Sequence, residues 1–189
     1  SECMPYSMVN KLDLDSEISE IIAPFDLEYQ INDVISGGEG LDFWVVDNHK
    51  NLIHLQEKKE GELLELTTHY RLRNNAHNIY LDEDGLSGLL ENGHLFKFKF
   101  ESKEITYQKV CDSSCVLKAL RSSYDPRLWL VLDYNYDLSL IKVSEDHTEL
   151  KKIKLCQYAT ENFYFFPSSE KNEIKITFIS SFRGDSIKV

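Results

Sequence analysis

Short apolar runs, each followed by a polar turn and then a second, alternating run, recur four times along this chain. The first is Phe43-Trp44-Val45-Val46, a turn over 47–51, then Leu52-Ile53-His54-Leu55. Gly88-Leu89-Leu90, a turn over 91–94 and Leu95-Phe96-Lys97-Phe98 follow. Leu128-Trp129-Leu130-Val131-Leu132, a turn over 133–137 and Leu138-Ser139-Leu140-Ile141 form the third. The fourth is Ile176-Thr177-Phe178-Ile179, a turn over 180–185 and Ser186-Ile187-Lys188-Val189. Alternation of this kind, with β-branched and aromatic residues, predicts short strands rather than helices.

The first residues after the four turns, Leu52, Leu95, Leu138 and Ser186, lie 43, 43 and 48 residues apart. Filling in the flanking alternation gives strands at 29–35, 41–47, 51–56 and 62–70 in the first unit. The second has 76–81, 86–90, 95–101 and 104–110, and the third 116–121, 127–133, 138–143 and 149–155. A fourth unit, 162–166, 174–180 and 186–189, lacks its outer strand. Gly37-Gly38-Glu39-Gly40, Asp82-Glu83-Asp84-Gly85, Asn92-Gly93 and Tyr124-Asp125-Pro126 supply the turn chemistry of hairpins. A period in the forties made of four-stranded meanders is the signature of propeller blades. The fold class expected is all-β, a β-propeller of about four blades, closed as four or part of a larger ring.

Residues 1–26 are expected to hold the end of a preceding blade or a closing strand, with strands at 6–9 and 11–15 and one or two helical turns over 16–22, capped by Ser16. Blades are expected over 27–70, 76–110, 116–155 and 162–189. A lone sheet of this size leaves its apolar faces open, so the ring must close on itself or be completed by another chain or segment.

The pattern over about residues 27–189 resembles the WD40-like β-propeller superfamily as a degenerate member. No Gly-His pair leads any unit, and no Trp-Asp dipeptide closes a third strand; those positions read Leu55-Gln56, Lys99-Phe100 and Lys142-Val143. The resemblance is one of architecture and period, and it implies a platform for protein interaction.

Bulk composition narrows the partners. The 189 residues include 42% hydrophobic ones, enough for a real core in one domain, and the formal charge of −11 disfavours binding to a phosphate backbone. A basic or uncharged protein partner suits that field. No apolar stretch approaches the roughly 18 residues of a membrane span, and Ser1-Glu2-Cys3-Met4-Pro5 has no signal-peptide character. Cys3, Cys111, Cys115 and Cys156 are too scattered for a disulfide framework, and no Asn-x-Ser/Thr acceptor occurs, so an intracellular location in cytoplasm or nucleus is expected. The blade-like ends predict a piece of something longer.

Candidate chemistry gives way to plainer readings. Cys111 and Cys115 lack the second ligand pair that zinc needs. The acidic turn at 82–85 begins like a calcium loop, but Leu86 starts a strand where further oxygen ligands would be required. Arg183-Gly184-Asp185 is read as a hairpin turn. No Gly-x-Ser-x-Gly elbow or phosphate loop occurs, and the six histidines share no motif. The expectation is therefore no catalytic residue, no metal and no cofactor.

Trp44 and Trp129 occupy nearly equivalent blade positions and are expected to pack between sheets. In a meander, the turns between second and third strands emerge at the same end as the links between blades. That end is expected to carry His49, Lys50, His94, Tyr134, Tyr136, Phe182 and Arg183 from turns, with Arg71, Arg73 and Tyr158 from links. The opposite end is expected to be acidic and polar. Exposed Tyr and Arg concentrate binding energy at interfaces. The reading is a non-catalytic scaffold or subunit that docks other protein subunits through this end. The rivals are a hydrolase using a central channel, and an RNA-binding propeller using Lys50, Arg71, Arg73 and Arg183.

Overall fold

The computed structural model describes residues 7–13, 18–25, 30–38, 42–57, 64–111, 116–144, 150–166 and 175–180. Among these residues there is no helix; regular structure is strand throughout. It follows that no described helix is long and apolar enough to cross a membrane.

Three four-stranded antiparallel meanders form the body of the chain. The first runs β3 (Ile31–Ser36), β4 (Asp42–Asp47), β5 (Asn51–Glu57) and β6 (Leu64–Arg71). The second comprises β7 (Tyr80–Leu81), β8 (Gly85–Leu89), β9 (His94–Lys99) and β10 (Ile105–Lys109). The third comprises β11 (Val116–Arg121), β12 (Leu128–Asp133), β13 (Leu138–Val143) and β14 (Leu150–Cys156). Two-stranded sheets precede and follow them: β1 (Ser7–Asp13) with β2 (Ile18–Phe25), and β15 (Ala159–Phe166) with β16 (Lys175–Ser180). The chain divides into two compact units, Ser1–Leu86 and Ser87–Val189, with the division inside β8.

Second strands read as unbroken apolar runs because both of their faces are covered. All six residues of β12 are buried, as are the last four of β4. Trp44 and Trp129 are both in the core. The outer strand β14 is exposed over its first five residues, where Lys151, Lys152 and Lys154 keep a free edge charged. In the first unit Val45, Ile53 and Leu55 form a core against Ile31 and Phe43. In the second, Leu130, Leu132 and Leu138 pack with Ala159 and Phe163 of β15.

Three expectations fail locally. The stretch read as helical over 16–22 is extended from Ile18 onward, because β2 spends its backbone groups on a ladder with β1 from Asp13↔Ile18 to Ser7↔Phe25. Its Ile18, Ile21 and Ile22 are β-branched residues suited to that conformation. The break expected at Asn10 is instead a register irregularity between Val9 and Asn10 inside one strand. The strand expected over 76–81 shrinks to Tyr80–Leu81. Side chains of β3 take the backbone groups that a longer ladder would use: Asn32 Nδ2 donates to the Ala76 carbonyl at 3.0 Å, and Asp33 Oδ2 accepts from the Ile79 amide at 2.9 Å. The third strand expected over 186–189 lies outside the described residues.

Candidate interaction surface

In the first sheet the turn from β4 to β5 is built on Asp47, which is fully buried. Its Oδ1 accepts the amides of His49 (2.8 Å) and Asn51 (2.9 Å), and its Oδ2 accepts Asn51 Nδ2 at 2.6 Å. Lys50 closes the turn in the left-handed region, at φ 68°. The Asn51 Oδ1 then receives the Arg71 guanidinium at 3.1 Å and lies 2.8 Å from His69 Nε2. Arg71 is thus partly committed to holding the turn, while His49 and Arg73 are exposed and Lys50 is half-buried.

The third sheet repeats this device. Asp133 Oδ1 accepts the amides of Asn135 (2.9 Å) and Asp137 (3.1 Å), and Tyr136 takes φ 60°. Asp137 stands where Asn51 stood, with Lys154 Nζ on its Oδ2 at 2.6 Å. The second sheet has Leu90 at the corresponding position and turns on Gly93, at φ 76°. His94 is half-buried there, its amide held by Asn92 Oδ1 at 3.3 Å.

Each turn is then tied to the chain leaving the same sheet. The Lys50 carbonyl accepts the Leu72 amide (2.7 Å), that of Gly93 accepts Val110 (2.9 Å) and Cys111 (3.1 Å), and that of Tyr136 accepts Ala159 (2.9 Å). In the second unit this bond sets the link bearing Tyr158 (φ 60°) against the turn bearing Tyr134 and Tyr136. The three tyrosines are 63% (Tyr134), 51% (Tyr136) and 44% (Tyr158) exposed. In the first unit the same bond brings Arg73's link to the turn of His49 and Lys50. Phe182 and Arg183 lie outside the described residues.

A further arrangement, absent from the expectations, crosses three strands of the first sheet. His54 of β5 stacks on Trp44 of β4 at 4.2 Å, with its Nε2 2.9 Å from Asp42 Oδ1 and its Nδ1 2.8 Å from Thr67 Oγ1 of β6. A carboxylate, an imidazole and an alcohol in line have the geometry of an activated nucleophile. Thr67 Oγ1 has two acceptors within reach, His54 Nδ1 at 2.8 Å and the His54 carbonyl at 3.2 Å, both inside the same sheet. The group locks β4, β5 and β6 together. The sequence places His54 only within an alternating run, among six histidines that share no motif; the pairing Trp44↔His54 becomes visible once the register is known. Among the described residues no group of three or more His, Cys, Asp or Glu is arranged to hold a metal ion.

No family model matches the chain, and no curated protein does. Solved structures do. The chain is similar to Saccharomyces cerevisiae Sqt1, at 6% identity and a TM-score of 0.62, over 82% of this chain and 44% of that one. It is similar to candidate 6-phosphogluconolactonases of Bacteroides uniformis and Bacteroides fragilis. The first has 9% identity and a TM-score of 0.62 over 93% of this chain and 61% of that one. The second has 10% identity and a TM-score of 0.61 over 92% and 56%. The chain therefore spans about half the length of the structures it matches. At such identities the likeness shows the fold alone, and together with the repeated meanders it defines the class: an all-β chain of β-propeller type.

Proposed function

We propose that this chain is a non-catalytic interaction platform, a scaffold or subunit of a larger intracellular assembly, and that it holds a protein partner through its second-to-third turns and outgoing links. The carrying observation is the trio Tyr134, Tyr136 and Tyr158, exposed on two segments joined by the Tyr136–Ala159 hydrogen bond. Rigid aromatic side chains on braced turns offer large contact area at small entropic cost, which is how interface anchors work. The formal charge of −11 favours a partner surface that is basic or uncharged. His49, Lys50, Arg71 and Arg73 in the first unit, and His94 in the second, are the remaining candidate contacts, with Phe182 and Arg183 proposed from sequence.

The test replaces the rings without disturbing the turns: Tyr134→Ala, Tyr136→Asn and Tyr158→Asn, since Asn tolerates positive φ. A partner identified by proximity labelling is purified and its affinity measured. Loss of at least about tenfold in affinity at equal or higher Tm is expected, as for removal of anchor residues, with relief of the left-handed strain at 136 and 158 acting on stability alone. Unchanged affinity would refute the chosen surface.

A further inference from the structure

The two short sheets are complementary halves. In each of the three full sheets the strands pair in chain order, so the chain enters on one edge strand and leaves from the other. β15 follows β14, the last strand of the third sheet, and its Ala159 amide makes the bond to the preceding turn that Leu72 and Val110 make after the first and second sheets. β15 and β16 therefore stand as the first and second strands of a fourth sheet. β1 and β2 lead into β3, the first strand of the first sheet, and so stand as third and fourth strands. Pro24 of β2, opposite Met8 of β1, agrees with that order: it has no amide hydrogen, and proline inside a strand belongs on a sheet edge. The edge of this hairpin left for pairing is then β1. Among the described residues neither hairpin pairs with a further strand.

β16 is built like an interior strand. Lys175 at its end is its one charged residue, whereas the outer strand β14 carries three lysines. Its six residues also match the seven of β1 in length. One face of the β15–β16 sheet is open as well. Register sets Phe163 and Phe165 opposite Phe178 and Ile176, and these four pack on the third sheet. Tyr164, opposite Thr177, lies on the other face, with Phe166 and Ile179 two positions along their strands. Tyr164, Phe166 and Ile179 are each about half exposed. Stacked sheets cover such a face with the next sheet in line.

We infer that the chain associates head to tail with a second copy of itself. β1 of one copy pairs antiparallel with β16 of the other, so that β15, β16, β1 and β2 make a complete four-stranded sheet. The first sheet of that second copy then covers Tyr164, Phe166 and Ile179. The same contact made in return closes the pair. Since the chain spans about half the length of the structures it matches, one further copy brings the assembly to about their size. This contact uses none of the turn tyrosines, so it stands apart from the surface proposed for another protein.

The test is light scattering of the full chain at micromolar concentration, together with NMR of a dimer mixed from isotope-labelled and unlabelled copies. A mass of twice 22.0 kDa is expected, with cross-strand contacts from amides of residues 175–180 in the labelled copy to protons of residues 7–13 in the unlabelled one. Phe166→Lys with Ile179→Lys, both at exposed positions, should weaken association at least about a hundredfold by placing unpaired charges in the contact. The mixed-label measurement needs no variant, so it stands even if that pair of changes impairs folding. A single-chain mass would overturn the inference, whether β1 and β16 then meet within one copy or not at all. So would a doubled mass without contacts between 175–180 of one copy and 7–13 of the other, or association unchanged in a folded variant.

Discussion

The carbonyl of Lys50 accepts the amide of Leu72 at 2.7 Å, and the same bond recurs as Gly93 to Val110 and Tyr136 to Ala159. In all three sheets the acceptor is the residue at positive φ. A left-handed residue turns its carbonyl out of the hairpin, where the departing chain can reach it. That one backbone feature braces each turn against its link and sets the distance between the side chains they display.

Since Lys50 and Tyr136 bear the cost of left-handed backbone, Lys50→Gly and Tyr136→Gly should each stabilise by about 0.5–1 kcal/mol, and Gly93→Ala should destabilise by about 1 kcal/mol. Thermal melts check this, with shifts of about 2–4 °C per kcal/mol for a chain of this size. Equal effects of glycine at Lys50 and at an extended exposed residue such as Lys99 would argue against the strain.

Asp47 is buried and receives three donors, so Asp47→Ala strands the amides of His49 and Asn51 together with Asn51 Nδ2. A loss of about 2–4 kcal/mol in urea unfolding is expected. Asp133→Ala, which frees two amides, should cost less.

His54→Ala removes a stacked ring and two hydrogen bonds at once, and should cost about 2–4 kcal/mol. Gly37→Ala probes the same group from the side. A Cβ there would press on Asp42 Oδ1, which His54 prevents from swinging away, and would come 3.0 Å from Trp44 Cδ1. Both variants should share one mechanism, so in a double-mutant cycle their effects should fall short of additive.

The Arg127 guanidinium holds the Asp125 carboxyl below its ordinary range, burial opposing it only in part. A carboxylate depressed in the folded state contributes stability that is complete above its unfolded value of about 4 and disappears as pH falls through the lower folded value. Arg127→Gln should therefore narrow its stability gap to the parent protein as pH falls through that window. Carboxyl carbon NMR should show Asp125 titrating higher in the variant.

Most of the fold was legible because β8, β9, β12 and β13 are short, apolar and separated by strong turn residues. Trp44 and Trp129 signalled the core through their shared blade position. What was illegible depended on partners distant in sequence. Nothing local says that Ile18–Phe25 would pair with β1 instead of coiling, or that Asn32 and Asp33 would take up backbone groups of 76–79. Exposed turn tyrosines could be named in advance, since the turn itself lies in the sequence. The Asp42–His54–Thr67 group could not, because it arises from strand register.

The central claim is that a partner is held by the tyrosine-bearing turn and link of the third sheet. Hydrogen exchange of the native complex against the isolated chain tests it most directly. Slowed exchange in residues 134–137 and 157–159, with residues 122–127 at the far end of that sheet unchanged, is the predicted result. Protection confined to 122–127, or none at the tyrosines, would contradict it.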